Sequence, residues 1–268
     1  MYLKPFGAVI GKIKMFIKEK PMYQLGLVSV SFRPESPETV IKAAKTAGLS
    51  CIEWGSDVHA PCEDEKRLEE IAALQKEYGI SCCSYGTYFR LGVTDVAELP
   101  AYIRAAKLLG TKILRLWAGH QHPWDFSAEE KEKLFADSKA AASLAEQAGV
   151  KLCLECHKKT YTETAEAALE LLTAVNSPAF EMYWQPNQSR SQEENVANAR
   201  ALKNYVNHIH VFQWKEKERF SLEEGLEEWK AYLEEIPGDR CLLLEFMPND
   251  TLEELPTQTA ALRKLTEI

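Results

Sequence analysis

The sequence predicts an α/β fold, a TIM-type (β/α)8 barrel in a single domain behind a short N-terminal extension. First, one unit recurs eight times from residue 22 onward: a short apolar run, a polar loop, then an amphipathic stretch of helical period. Second, the segments AGLSCIEW, YGISCCSY, LGTKILRLW and AGVKLCLEC share a layout in which Gly48, Gly79, Gly110 or Gly149 closes a helix just before a strand. Glycine suits the left-handed position past a helix end. Third, alternating strands and helices imply a parallel sheet, and eight units in about 245 residues match the size of a closed barrel. A doubly wound open sheet would need a glycine-rich phosphate loop after an early strand. The first such loop, SFRPESPE, contains no glycine.

Strands are expected near residues 24–31, 50–54, 80–85, 112–117, 150–156, 179–185, 207–213 and 241–247, with helices between them and after the last. Ser36 before Pro37 reads as a helix cap with proline at the first helical position. Ser127 with Glu130, Ser191 with Glu194, Ser221 with Glu224, and Asp250 with Glu253 all have capping-box spacing. The expected domain spans residues 22–268. Residues 1–21, MYLKPFGAVIGKIKMFIKEKP, do not read as a signal peptide, because lysines interrupt the apolar part and no small-residue cleavage site follows; they read as an appendage before the domain, with a surface helix or partner contact as the alternative.

A net charge of −8 argues against nucleic acid as a partner. No apolar stretch approaches the ~20 residues that span a bilayer, so no membrane partner is expected. Seven cysteines without disulfide-like spacing fit a reducing cytoplasm. Cys153 and Cys156 form a C-x-x-C pattern, but residues three apart on a strand face opposite sides, which disfavours a redox or zinc pair.

All six histidines (His59, His120, His122, His157, His208, His210) fall on expected strands or in the loops after them. So do five of the six tryptophans, Trp229 excepted. In this architecture sites are built at the C-terminal ends of the strands, so the asymmetry points to a site there. Strand parity narrows it. In KLCLECH, Cys153, Glu155 and His157 share one face; in EMYWQ, Glu181, Tyr183 and Gln185; in HIHVFQ, His208, His210 and Phe212; in CLLLEFM, Cys241, Leu243 and Glu245. These faces are the polar ones and are expected to line the lumen.

A buried carboxylate costs several kcal/mol unless it is paired, hydrogen-bonded or metal-bound. Convergence of Glu155, Gln185, His210 and Glu245 near the mouth would supply three oxygen ligands and one imidazole. That set suits one divalent ion, Mn²⁺ or Mg²⁺ first, with Co²⁺ or Zn²⁺ also compatible. The competing expectation is that lumen hydrogen bonds and Arg115 satisfy the carboxylates. Glu53 is expected to pair with Arg115. His157, Trp54, Trp117, His120 and Arg190 are expected substrate contacts, since aromatic faces suit the apolar face of a sugar ring and a mouth cation suits a phosphate or carboxylate.

With LECH on the fifth strand, HIHVFQ on the seventh and LLLEF on the eighth, the chain resembles the sugar phosphate isomerase/epimerase superfamily with the xylose isomerase-like TIM barrel, over residues 24 to about 267. The resemblance implies one divalent metal held by Glu, Asp, His and Glu, which land on Glu155, Gln185, His210 and Glu245. It also implies a carbohydrate substrate and proton transfer through an enediolate, Glu155 and Glu245 being the catalytic pair: one removes a proton beside a carbonyl, the other returns it. Three positions depart: Gln185 and Gln213 stand where the pattern has Asp, and Gln188, by this match a further expected substrate contact, where it has His. A non-catalytic sugar-binding barrel and a metal-dependent dehydratase or lyase are the alternatives. Homo-oligomerisation is compatible with the sequence.

Overall fold

A computed structural model describes residues 21–215 and 217–267; apart from Pro21, the expected N-terminal extension lies outside them. The chain alternates as expected. Strands β1 (Tyr23–Val28), β2 (Cys51–Gly55), β3 (Ser81–Leu91), β4 (Ile113–Ala118), β5 (Lys151–Glu155), β6 (Phe180–Trp184) and β7 (Val206–Val211) are followed by a hairpin, β8 (Gln213–Lys215) and β9 (Glu218–Phe220), and then by β10 (Arg240–Leu244). The helices are α1 (Pro37–Ala47), α2 (Glu65–Tyr78), α3 (Leu99–Leu108), α4 (Ala128–Ala148), α5 (Ala165–Val175), α6 (Gln192–Leu202), α7 (Leu226–Glu235) and α8 (Leu255–Lys264). A closed parallel barrel runs in the order β1-β10-β7-β6-β5-β4-β3-β2, with the hairpin as a separate small sheet.

Local chemistry sets the helix ends. Ser36 accepts from the Thr39 amide before Pro37, and reciprocal capping boxes form at Ser127/Glu130, Ser191/Glu194 and Ser221/Glu224. Gly48, Gly79 and Gly149 take the left-handed conformation at helix ends. The expected box at Asp250/Glu253 does not form. Asp250 has a φ of 47° and gives its carboxylate to Arg219 of the hairpin, so α8 starts further on, at Leu255.

Parity divides the core as read. Ile52, Trp54, Leu114, Leu116, Leu152, Leu154, Met182, Trp184, Ile209, Leu242 and Leu244 belong to the layer between sheet and helices. Val28, Cys51, Cys83, Cys153, Tyr183, Cys241 and Leu243 form a second, inner cluster. Cys153 is thus inside and Cys156 outside, where its thiol approaches Asn198 at 3.7 Å. Where β2 pairs with β3, Ile52 faces Cys82 but Glu53 faces Ser84. That bulge sets two residues of β3 against one of β2, so Cys83 and Ser84 both reach the lumen. Among the described residues no helix is long and apolar enough to cross a membrane.

Gly86 of β3 leaves room for the polar centre of the barrel. A Cβ built there would lie 2.6 Å from Glu53 Oε1 and 2.7 Å from Arg115 Nη2. Overpacking of this kind costs roughly 1–3 kcal/mol. Gly86→Ala is therefore expected to lower the free energy of unfolding in urea by about that amount; an unchanged midpoint would contradict the close approach.

Candidate metal and active site at the barrel mouth

Strand ends from around the barrel deliver one buried polar cluster. Glu155 closes β5, Gln185 follows β6, His210 lies on β7 and Glu245 follows β10; they are 3%, 6%, 0% and 5% exposed. The four predicted ligands therefore do meet. His210 Nδ1 lies 3.0 Å from Gln185 Oε1, 3.4 Å from Glu245 Oε2 and 3.9 Å from Glu155 Oε1. One ring nitrogen and three oxygens from three residues thus face a common point.

Behind them stands a second set. Arg115 of β4 donates through Nε to Glu53 Oε1 at 3.0 Å and through Nη1 to Glu155 Oε2 at 2.8 Å. Ser84 donates to Glu53 at 2.6 Å, and His210 Nε2 lies 3.4 Å from the Glu53 carboxylate. Trp117 donates its indole N–H to Glu155 Oε2 at 2.6 Å. Both predicted roles of Arg115, as partner of Glu53 and as satisfier of Glu155, are realised at once.

The charges are unequal. Three carboxylates, Glu53, Glu155 and Glu245, face one guanidinium, leaving two negative charges when His210 is neutral. Burial opposes ionisation of Glu53 and Glu155, but Arg115 outweighs it and holds both below the usual carboxylate range. Glu245 goes the other way, pushed up by burial and by Glu155 despite His210 and Arg115. Burial alone would lower His210, yet Glu245 and Glu53 lift it to about 9.

A divalent cation fits this donor set. Ligand atoms about 2.0–2.3 Å from an ion, at octahedral or tetrahedral angles, lie roughly 3–3.7 Å apart, close to the separations around His210 Nδ1. Glu155, His210 and Glu245 each offer a ligand atom within 4.8 Å of the others, and Gln185 adds an amide oxygen. An ion of charge two would balance the excess. Glu53 is placed to orient His210 through the far ring nitrogen, the usual carboxylate–histidine–metal arrangement.

The predicted substrate contacts fare unequally. Trp117 borders the cluster, donating to Glu155, and Arg90 lies over its ring at 4.0 Å. His157 is exposed beside it, ring centroids 5.7 Å apart, with Nδ1 2.6 Å from the Lys158 carbonyl oxygen. Gln188 and Arg190 lie in the loop between β6 and α6 and line a cavity of about 290 Å³ together with Phe212, Gln213, Trp214 and Lys215. His120 is exposed in the loop after β4, with no hydrogen bond to the cluster among the described residues. Trp54 is a correction: it is fully buried among the helices, its Nε1 donating to Gln75 Oε1 at 2.6 Å. Glu53 points inward, so its neighbour must point outward. Sequence reading missed Tyr88 and Arg90, which border Trp117; the β-forming run GTYFRL after residue 85 was the available signal.

The sequence matches the profile of the xylose isomerase-like TIM barrel family over residues 41–265, and the chain belongs to that family. Comparison with curated proteins finds no match. Among solved structures, the chain is similar to the probable 3-DHS dehydratase AsbF of Bacillus anthracis, with 19% identity, TM-score 0.74, and coverage of 90% of this chain and 99% of that one. It is also similar to a xylose isomerase-like TIM barrel protein from Mycobacterium smegmatis in complex with magnesium, at 15% identity, TM-score 0.70, and coverage of 91% and 97%. The D-psicose 3-epimerase of Clostridium cellulolyticum, solved with D-tagatose, shares 14% identity at TM-score 0.68, with coverage of 91% and 99%. At such identities the likeness is one of fold.

Removing one partner from a buried ion pair costs about 3–5 kcal/mol. Arg115→Met, measured in chelator, is expected to lose stability on that scale, and adding Glu53→Gln to that variant is expected to recover part of the loss. A loss below about 1 kcal/mol, the range of surface pairs, would contradict the central role of Arg115.

Proposed function

We propose that this protein is a divalent-metal-dependent isomerase or epimerase of a small carbohydrate, working by proton transfer through an enediolate. The observation that carries this reading is the convergence of Glu155 Oε1, Gln185 Oε1 and Glu245 Oε2 on His210 Nδ1 inside a barrel mouth. Glu155, Gln185, His210 and Glu245 would hold the ion, Mn²⁺ or Mg²⁺ first. When bound, the ion supplies Lewis-acid polarisation of a substrate carbonyl.

The protein's own groups divide the remaining work. Arg115 and Trp117 both donate to one oxygen of Glu155, which lowers its basicity and fixes its direction. Glu245 receives neither donor and is the stronger base, so it removes the proton beside the carbonyl. In an epimerisation Glu155, once protonated from solvent water, returns a proton to the same carbon. Arg90, Tyr88 and His157 border the same side of the mouth and are placed to orient hydroxyl groups.

A dehydratase reading shares the first step, abstraction of a proton next to a carbonyl, and the similarity to AsbF keeps it in view. A panel of aldoses, ketoses and sugar acids with Mn²⁺ in deuterated water separates the two: exchange into an isomerised or epimerised product supports the proposal, whereas loss of water supports dehydration. Turnover of no panel member, without exchange, would count against both.

A positioned acid or base contributes ~10²–10⁴-fold, so Glu245→Gln is expected to lose about that much turnover while keeping its circular dichroism; full turnover would refute the assignment. Outer partners of a metal-bound histidine contribute about 10–100-fold in affinity. Glu53→Gln should weaken Mn²⁺ binding by about that factor in calorimetry, and unchanged affinity would show that Glu53 does not support His210.

A further inference from the structure

The opposite end of the lumen holds a second set of converging ligand atoms, of different chemistry. The sulfurs of Cys51, Cys83 and Cys241 all lie within 4.8 Å of one another. We propose that these three cysteines form a second cation site at the floor of the barrel, suited to a thiophilic divalent ion of the zinc class.

The trio is assembled by the fold from three strands. Cys51 opens β2, Cys241 lies on β10, and these two strands flank β1 on either side. Gly26 of β1 pairs with Cys51, and a Cβ there would fall 2.5 Å from Cys51 Sγ. The missing side chain is what lets that sulfur occupy the lumen. Cys83 reaches the same point from β3 through the bulge beside Glu53.

The geometry suits a metal. Sulfurs bound at about 2.3 Å around a tetrahedral zinc lie roughly 3.8 Å apart, within the observed spread. Cys241 Sγ also donates to Gln24 Oε1 at 3.4 Å, and Gln24 is exposed at the floor. A fourth position therefore opens towards solvent, where the amide oxygen or a water completes the shell. Other cysteines are engaged differently: Cys82 donates to the Ser84 carbonyl at 3.2 Å, and Cys156 approaches Asn198 on the helix side.

The floor and mouth sites share no ligand. Cys241 precedes Glu245 by four residues, roughly 13 Å of extended strand. Their preferences also differ, since thiolates select soft ions and carboxylates hard ones. An ion on the floor would tie the last barrel strand to the second and third across the first. It would stabilise the folded chain by mass action without touching the mouth.

Cobalt is the probe. The reduced, metal-stripped full chain is titrated with Co²⁺ and followed by absorption. The oxygen- and nitrogen-lined mouth gives only weak d–d bands, whereas the floor is expected to give a sulfur-to-cobalt charge-transfer band in the near ultraviolet, discharged by equimolar Zn²⁺. Cys83→Ser and Cys241→Ser are expected to abolish the band, and Cys62→Ser, outside the trio, to leave it intact. Should the serine variants not fold, the unaltered protein decides. No charge-transfer band at saturating Co²⁺ overturns the proposal, as does a band that survives in both folded variants.

Discussion

The guanidinium of Arg115 lies between two buried carboxylates, and the polar half of the barrel is arranged around it. It is 2% exposed and donates to Glu53 on one side and Glu155 on the other. Without it the lumen would enclose three carboxylates with no fixed counter-charge, a state that costs several kcal/mol per ion. The surrounding backbone is adapted to that group: Gly86 leaves the space, and the β3 bulge brings Ser84 onto Glu53. Burial and fixed partners thus hold Glu155 in one orientation, one oxygen occupied and the other turned to the mouth.

With His210 neutral, as a metal ligand must be, the same arrangement leaves a surplus of two negative charges, and it bears on the glutamine at position 185. An aspartate there, as in the superfamily pattern, would raise the surplus to three. The amide keeps an oxygen in place, 3.0 Å from His210 Nδ1, without the charge. Glu53 meanwhile supplies a carboxylate behind His210. The charge absent from the inner ring is thus present one layer out, and a divalent ion remains the natural complement.

The barrel was legible because its signals are local and repeated: glycine ends, capped starts and alternating strands. The polar cluster was legible because parity on four strands points Glu155, Gln185, His210 and Glu245 the same way. Trp54 was misread for a related reason: its position at a strand end suggested the mouth, while parity with Glu53 directed it outward. The hairpin β8–β9 was invisible, its strands being three residues long and set by tertiary contacts such as Arg219 with Asp250. That contact also removed the expected cap at Asp250. The dual pairing of Arg115 and the convergence of three thiols depend on distances across the lumen, which a linear pattern does not encode.

One divalent ion is proposed to sit among four side chains at the mouth. Anomalous diffraction from a crystal soaked in Mn²⁺ tests this most directly. A peak about 2.0–2.3 Å from Glu155, Gln185, His210 and Glu245 is predicted, with Glu53 still behind the imidazole. No peak there at saturating Mn²⁺, with the four side chains placed as described, would contradict it.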